Sequence, residues 1–302
     1  MTSLARARKN YQLYLLLALP IIWLIIFRYV PMYGVVIAFK NFNARDGILG
    51  SDWVGLRHFQ RFVSSFYFGR TIRNTIGISV YQLAAGFPIP IILALAMNSS
   101  LRRGFTKTVQ FIVYMPHFIS TVVMVGIILE FLNPRVGIVN LALEAVGFQT
   151  RDFIAEPELF KSIYVWSGVW QRSGWGTIIY LAALSSIDPE LHEAATIDGA
   201  SRFQRIVHID FPGILPTATI LLIMNMGRLM QVGFEKVFLM QNTLNLESSE
   251  IIATYVYKVG LASAAPNFSY GAAIGLFLSV INLVLIVSVN AIAKRMGQTS
   301  LW

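Results

Sequence analysis

The sequence predicts an all-α membrane protein that crosses the bilayer several times. Of its 302 residues, 56% are hydrophobic and 13% are charged, and the mean hydropathy is +0.62. Soluble domains usually carry about a quarter charged residues. Six apolar windows are each long enough to cross the hydrocarbon core, which takes about 20 residues of helix. We therefore expect a single membrane domain, from residue 1 to residue 302, with six transmembrane helices.

The apolar windows follow one another along the chain at residues 13–30, 76–97, 109–132, 163–184, 217–239 and 272–293. The first window has no small-residue cleavage site behind it, so we expect a retained span and not a signal peptide. An even number of spans places both termini on one side, and four basic clusters fall there: Arg6/Arg8/Lys9, Arg102/Arg103/Lys107, Arg202/Arg205 and Lys294/Arg295. Because basic clusters mark cytoplasmic segments, we expect a multi-pass inner-membrane protein with both termini in the cytoplasm. In this orientation the segment 28–73 lies outside the cytoplasm, although it is also basic.

Composition excludes several other classes of function. The net charge is +9, but the 24 Lys and Arg residues are dispersed without a basic run, so they indicate membrane anchoring and no nucleic-acid partner. The chain has no cysteine, which excludes disulfides, thiol catalysis and iron–sulfur ligation. No phosphate loop, zinc-protease motif or serine nucleophile elbow is present. We expect no catalysis, no metal site and no cofactor bound by this chain.

One loop, residues 186–216, carries clear start and stop signals for two short helices. Asp188 can cap a helix that has Pro189 in its first position, and Gly199 can end it. Ser201 and Gln204 form a capping box for a second helix, which Pro212 is expected to close. The pattern predicts a helix, a glycine turn and a second helix outside the bilayer. In a later outer loop, residues 249–258 are also expected to be helical.

The same loop carries a family signature. Glu193-Ala194-Ala195, Gly199 and Ile209-Asp210-Phe211-Pro212 are spaced as in the EAA motif of binding-protein-dependent ABC importer permeases, which ends in Ile-x-Leu-Pro. Phe211 departs from the leucine of that motif. Further short segments resemble the oligosaccharide and polysaccharide branch of these permeases, including Pro31-Met32-Tyr33-Gly34, Trp53-Val54-Gly55-Leu56, Pro116-His117-Phe118-Ile119-Ser120, Gly174-Trp175-Gly176, Gly233-Phe234-Glu235 and Leu301-Trp302.

The resemblance implies the type I ABC importer permease fold. It also implies a complex with a second homologous permease, two ATPase subunits that use ATP and Mg, a periplasmic or extracellular solute-binding protein, and membrane lipid around the bundle. Carried over by position, the coupling segment that docks on the ATPase would contain Glu193, Ala194, Ala195, Asp198, Gly199, Ala200, Ser201 and Phe203. A glutamate can accept charge-assisted hydrogen bonds there, and the alanines allow a close approach of helices.

Polar residues inside two of the apolar windows indicate a substrate pathway. A charged side chain at mid-bilayer is costly and therefore usually functional. In the fourth window, the expected pathway residues are Trp170, Gln171 and Arg172. In the fifth window they are Asn225, Arg228 and Gln231. These three residues recur at helical spacing and form a polar stripe with Glu235. Guanidinium groups bind carboxylates in a bidentate manner, so the arginines favour an acidic oligosaccharide such as a uronate fragment of alginate or pectin.

Two alternatives remain open at this point. Arg228 could pair with Glu235 or Glu130 while Arg172 extends to the interface, in which case the substrate would be a neutral oligosaccharide. A self-sufficient secondary transporter would need membrane-embedded carboxylates as ion relays. Buried acids are scarce in the windows, and the coupling loop favours an ATP-driven system.

Overall fold

The computed structural model describes residues 11–100 and 102–295, without the side chain of Arg103. The basic cluster at Arg6, Arg8 and Lys9 and the terminal Leu301-Trp302 segment lie outside the described residues. The described chain is helical through most of its length. One antiparallel pair of two-residue strands, β1 (Lys40–Asn41) and β2 (Asp52–Trp53), forms the only sheet in the described residues, with Lys40 opposite Trp53.

The α-helices, in chain order, are α1 (Tyr11–Leu24), α2 (Val30–Met32), α3 (Gly47–Gly50), α4 (Arg57–Val63), α5 (Phe66–Gly86), α6 (Pro88–Asn98), α7 (Arg103–Tyr114), α8 (Thr121–Phe131), α9 (Ile138–Ala145), α10 (Pro157–Ser185), α11 (Pro189–Ile197), α12 (Arg202–Arg205), α13 (Phe211–Met226), α14 (Phe234–Met240), α15 (Leu246–Ser249), α16 (Ile252–Tyr257) and α17 (Phe268–Arg295). Three π-helical segments (Ile25–Tyr29, Ile206–Asp210 and Lys258–Ala262) and two 3₁₀ segments (Tyr33–Phe39 and Met115–Phe118) join some of them.

Within the described residues, four helical stretches are long and apolar enough to cross a membrane: Tyr11–Phe39, Phe66–Asn98, Arg202–Met226 and Phe268–Arg295. A fifth is added if Gly104–Phe118 and Thr121–Phe131, which meet at an angle of 100°, form one broken span. The fourth predicted window forms the unbroken helix α10. Its glycines, serines and tryptophans, together with Gln171 and Arg172, make it less apolar than these stretches.

Two predicted spans are interrupted. Window 109–132 breaks between Phe118 and Thr121, and window 217–239 breaks between Met226 and Phe234. A break frees backbone groups that must be satisfied by other parts of a membrane protein. Here Gln171 Nε2 donates to the Ile119 backbone oxygen at 2.8 Å, and the Met230 backbone N–H donates to Asn282 Oδ1 at 3.1 Å. Distant side chains therefore stabilise both breaks.

The predicted end of the loop helix at Pro212 is also wrong. The π-helical segment Ile206–Asp210 leads directly into α13, and the helical stretch continues from Arg202 to Met226. Proline lacks a backbone N–H and breaks a helix interior, but it is tolerated in a first turn. Pro212 lies in the first turn of α13. The change in hydrogen-bond register at the π-helical segment thus lets the helix pass the proline.

The described residues form two compact units, and each has its own packing. One contains residues up to Ser65 together with Val256–Phe277. Its strand pair is covered by Phe39 stacked on Trp53, with ring centroids 5.7 Å apart. His58 is buried there, and Nε2 contacts the Lys40 backbone oxygen at 3.1 Å. Burial lowers the pKa of this histidine.

The other unit contains Phe66–Tyr255 and the described chain from Leu278 onward. Helix α10 runs through its centre and packs on α5, α6, α7 and α13. One apolar cluster is built around Ile78, Phe160 and Val237, and another around Ala94 and Ile214. At Gly174 a Cβ would lie 2.0 Å from the Val113 backbone oxygen, so a glycine is required where α7 meets α10. This packing fixes the face of α10 that is considered below.

Candidate functional site

A cavity of about 560 Å³ lies inside the second unit. Helices α5, α6, α10 and α13 form its walls, together with the turn that follows α13. The residues of α10 that line it recur at helical spacing and so occupy one face of that helix. The lining residues are Ser79, Gln82, Leu83, Gly86, Phe87, Pro90, Gly168, Val169, Arg172, Ser173, Gly176, Ile179, Tyr180, Leu221, Asn225, Arg228, Leu229, Gln231 and Val232.

Two arginines line this cavity, Arg172 from α10 and Arg228 from the turn after α13. Both side chains are exposed to the open cavity. Within the described chain, neither arginine has a carboxylate within salt-bridge distance. The alternative pairing of Arg228 with Glu235 or Glu130 is therefore wrong in this structure. Positive charge is concentrated in the cavity without an acidic partner among the residues that can be described.

The cavity also contains uncharged hydrogen-bonding groups and aromatic rings. Asn225 and Gln231, expected from the polar stripe, both line it, whereas Glu235 does not. Five further polar or aromatic lining residues were missed in the sequence, namely Ser79, Gln82, Phe87, Ser173 and Tyr180. The signal for Ser79 and Gln82 was present, because these polar residues stand three positions apart in an apolar helix and so share one face. No comparable signal distinguished Phe87 or Tyr180 from other aromatic residues of the chain.

Trp170 and Gln171 do not line the cavity, although both were expected on the pathway. Gln171 is buried and donates its side-chain N–H to Ile119, so it joins α10 to the break before α8. Trp170 is exposed on another face of α10. Trp175, a neighbouring tryptophan, stacks on His117 with ring centroids 4.4 Å apart. The structure therefore brings Arg172, Asn225, Arg228 and Gln231 together and leaves Trp170 and Gln171 apart from them.

The second candidate region is the loop between α10 and α13, where the predicted caps are confirmed. Asp188 Oδ1 accepts a hydrogen bond from the Glu190 backbone N–H at 3.0 Å, at the start of α11. Ser201 and Gln204 form the predicted capping box of α12. Both boundaries follow from side chains that lie within three residues of the backbone groups they satisfy.

Gly199 makes the turn between the two loop helices. Its φ is +78°, a left-handed conformation that glycine adopts without the steric penalty of a Cβ atom. The Ala200 backbone N–H donates to the Ala195 backbone oxygen at 2.9 Å, which closes the end of α11 in the manner of a glycine C-cap. Arg205 Nη1 donates to Thr196 Oγ1 at 2.7 Å. The two loop helices are thus fixed relative to each other.

The predicted docking residues are mostly on the surface of the loop. Glu193, Ala194, Asp198, Gly199, Ser201 and Phe203 are exposed, and Ala195 and Ala200 are partly buried. The apolar side chains of Ile197 and Phe203 are 87% and 73% exposed. Two large exposed apolar side chains within one short loop favour a contact surface there.

Asp210 anchors this loop to the helix bundle, a role that the sequence did not reveal. Its side chain is 3% exposed. Its Oδ1 accepts from Asn98 Nδ2 at 3.2 Å, at the end of α6, and lies 3.3 Å from His192 Nε2, on α11. Buried polar groups need such partners because an unsatisfied one is costly. The sequence spacing of His192 and Asp210, 18 residues apart, gives no sign of this contact.

A bundle of apolar helices with a cationic cavity and a rigid exposed loop defines a membrane transport protein. The family model described as "Binding-protein-dependent transport system inner membrane component" matches residues 86–298. The chain belongs to this family. It is therefore a permease subunit of an ABC importer and not an enzyme, as its sequence predicted.

Similarity to individual proteins extends over nearly the whole chain. The polygalacturonan/rhamnogalacturonan transport system permease protein YteP of Bacillus subtilis (strain 168) is 39% identical over 290 residues, which cover 96% of this chain and 90% of YteP. A subunit of a bacterial ABC transporter involved in the import of the acidic polysaccharide alginate has a TM-score of 0.89 at 39% identity, with 96% of this chain and 98% of that chain covered. The bacterial alginate ABC transporter in complex with an alginate pentasaccharide-bound periplasmic protein gives a TM-score of 0.90 at 38% identity, covering 98% and 99%.

Proposed function

We propose that this permease imports acidic, uronate-containing oligosaccharides across the inner membrane and that its cavity forms part of their path. The observation that carries the proposal is the presence of Arg172 and Arg228 in one cavity without a carboxylate partner among the described residues. Isolated charges in a membrane protein are costly and are kept for function. A sugar carboxylate would supply the missing negative charge and could accept two hydrogen bonds from one guanidinium group.

The relatives support an acidic substrate. YteP is named for polygalacturonan and rhamnogalacturonan transport, and the similar solved structures belong to an importer of the acidic polysaccharide alginate. The uncharged part of the cavity fits the remainder of a sugar. Gln82, Asn225 and Gln231 can hydrogen-bond to hydroxyl groups, and Phe87 and Tyr180 present aromatic rings.

The loop is proposed to connect this path to ATP hydrolysis in a partner. Glu193, Ala194, Ala195, Asp198, Gly199, Ala200, Ser201 and Phe203 would dock on a separate ATPase subunit that binds ATP and Mg. The alginate transporter was solved with a loaded periplasmic protein, which supports a solute-binding protein as donor. The complete importer would contain this chain, a second homologous permease and two ATPase subunits. Rotation of the two permeases would then open the path alternately to each side.

In the membrane, we propose six spans with both termini in the cytoplasm. Helix α10 would be the span that adds to the four apolar stretches and the broken pair. Its exposed tryptophans and its polar face would then face the partner permease and the path instead of lipid. The cytoplasmic position of the loop at residues 186–216 and of the basic clusters agrees with the distribution of Lys and Arg that orients membrane proteins.

The test is the uptake of an acidic sugar and of its neutral analogue by a reconstituted importer. A trimer of galacturonate and the trimer in which every carboxylate is reduced to a hydroxymethyl group form a matched pair. Loss of one charge-assisted hydrogen bond, at about 1.5–3 kcal/mol, should make Arg172→Gln or Arg228→Gln lower acidic uptake by roughly one to two orders of magnitude. The neutral trimer should be little affected. Arg135→Gln, at an exposed position outside the cavity, is the matched control.

Each other outcome has a definite meaning. Equal loss for both sugars would show that the arginines stabilise the bundle. No loss in either variant would favour the second candidate function, import of neutral oligosaccharides, which the uncharged donors and aromatic rings of the cavity also fit. Assembly of the complex must be verified for each variant before uptake is compared.

A further inference from the structure

A third cation, Lys236 on α14, lies behind the wall of the cavity. Its side chain is 2% exposed. Its Nζ donates to the Tyr164 backbone oxygen and to Ser167 Oγ, both at 2.9 Å, and lies 4.8 Å from the centroid of the Tyr164 ring. Lysine is almost never fully buried unless it is paired with an acid. Among the described residues, however, no carboxylate forms a salt bridge with this ammonium.

Gly168 separates this ammonium from the cavity. Gly168 is one of the lining residues, and a Cβ placed on it would lie 3.4 Å from Lys236 Nζ. The wall therefore has no side chain at the point where the ammonium lies behind it. An ammonium has three N–H donors, and the two hydrogen bonds to α10 use two of them. A single backbone segment therefore separates the ammonium from the cavity.

The charge of Lys236 adds to the charge already in the cavity. Arg172 lies four residues, or about one helical turn, beyond Gly168 on α10. It is close enough to Lys236 for the two like charges to interact. Glu235, the acid next to Lys236 in sequence, is exposed and does not line the cavity. Positive charge thus accumulates on the α10 side of the cavity from residues on two different helices.

We propose that Lys236 is a specificity-determining residue, whose ammonium favours a carboxylate-bearing sugar over a neutral one through the gap at Gly168. This inference rests on the function proposed above and identifies a further group that acts on the same cavity. Lys236 acts on the sugar by its charge and is not required to touch it. The attraction between unlike charges in a partly dry site is substantial over several ångströms, whereas a neutral sugar gains little from it.

The test compares Lys236→Met with the parent chain in the complete importer, purified from cells and reconstituted in liposomes. Methionine is unbranched and fills a similar space without a charge. Uptake of the galacturonate trimer and of its carboxyl-reduced counterpart is measured with saturating loaded binding protein. We expect the ratio of acidic to neutral uptake to fall roughly three- to thirtyfold. Lys107→Met, at an exposed position on α7, should leave the ratio unchanged.

Gly168→Ala provides a second variant that keeps the ammonium and its two hydrogen bonds. The added methyl group would cover the gap in ordinary van der Waals contact with Lys236 Nζ, and alanine is a better helix former than glycine. A structural role of Lys236 would leave sugar selectivity unaffected by this change. We expect the acidic-to-neutral ratio to fall in this variant too, by about two- to fivefold, since the methyl group keeps a carboxylate farther from the ammonium without removing the charge.

The outcomes separate this inference from the proposed function. An unchanged ratio in Lys236→Met, or an equal loss for both sugars, would overturn the role of Lys236, while a selective loss in Arg228→Gln would still support acidic transport. A parent importer that prefers the neutral trimer would overturn both. If Lys236→Met did not assemble, the ratio measured in Gly168→Ala would decide, and an unchanged ratio there would refute the inference.

Discussion

The coupling loop and the cavity differ in how the chain builds them. In the loop, Asp188, Gly199 and Ser201 make their decisive hydrogen bonds or turns with residues at most five positions away. The cavity collects its lining from segments between Ser79 and Val232. A region built from local interactions can be deduced from its sequence, whereas a region built from distant segments needs the packing of the whole bundle. The two regions should therefore respond to mutation in different ways.

The largest effect is expected in the coupling loop, on ATP hydrolysis by the partner ATPase. Glu193→Lys reverses a charge on the exposed face of α11, where we propose docking on the ATPase. Loss of charge-assisted hydrogen bonds, with added repulsion, should lower binding-protein-stimulated ATP hydrolysis at least about tenfold. Glu144→Lys, also at an exposed helical position, should have no such effect. Unchanged stimulation in Glu193→Lys would remove the proposed coupling role.

The second-largest effect is expected at Asp210, which anchors the loop, and it is an effect on stability. Asp210→Ala removes the acceptor that serves both Asn98 and His192. Asn98 is exposed and His192 is partly exposed, so water can replace the lost acceptor, and each lost hydrogen bond should cost about 0.5–1.5 kcal/mol. Thermal unfolding of the detergent-solubilised complex would detect this loss. Asp210→Asn retains one acceptor oxygen and should be less destabilising. Equal destabilisation by the two variants would show that the carboxylate charge, and not hydrogen bonding, holds the loop in place.

In the fold too, features that depend on local interactions could be predicted from the sequence, and features that depend on distant segments could not. Hydropathy located the apolar segments, and the caps of α11 and α12 followed from local side chains. The side chains that satisfy the freed backbone groups at the two breaks, Gln171 and Asn282, could not be deduced, because they belong to distant segments. The helix also passes Pro212, because a π-helical segment precedes it. None of these partners can be deduced from the pattern of the interrupted segment itself.

For the cavity, the charge of Arg172 and the stripe of Asn225, Arg228 and Gln231 pointed to residues that the structure brings together. The stripe was predicted on a continuous helix, yet Arg228 and Gln231 lie in the turn beyond the end of α13. Lys236 lies inside the fifth predicted window, where a charge is costly, but it does not belong to the polar stripe that marked the pathway residues. Its importance depends on Gly168, 68 positions earlier in the chain, and only the packing of α14 on α10 reveals it.

A smaller effect is expected at the glycine turn, where the chain offers a matched control. Gly199 and Gly147 have φ values of +78° and +87°, and a Cβ at either position would meet no atom within 4 Å. Alanine should cost about 1 kcal/mol at each because of the left-handed backbone. Only Gly199→Ala should reduce stimulated ATP hydrolysis, because only this turn orients the proposed docking helix. An equal reduction in Gly147→Ala would attribute the effect to general destabilisation.

The smallest effect is expected from one chemical change made in both regions, the removal of a serine hydroxyl. Ser201 Oγ accepts from the Gln204 backbone N–H at 3.3 Å as part of a capping box, so Ser201→Ala should destabilise the loop by about 1 kcal/mol. Ser79 lines the cavity, and its buried Oγ has no hydrogen-bond partner among the described residues. Because removing an unsatisfied buried hydroxyl leaves no partner without a hydrogen bond, Ser79→Ala should leave stability unchanged or slightly raised.

Hydrogen exchange of the loop amides, measured by mass spectrometry, should rise in Ser201→Ala and remain at the parent value in Ser79→Ala. Faster exchange in both variants would mean that the loop responds to packing in the cavity, and the division between a locally determined loop and a distantly assembled cavity would then fail.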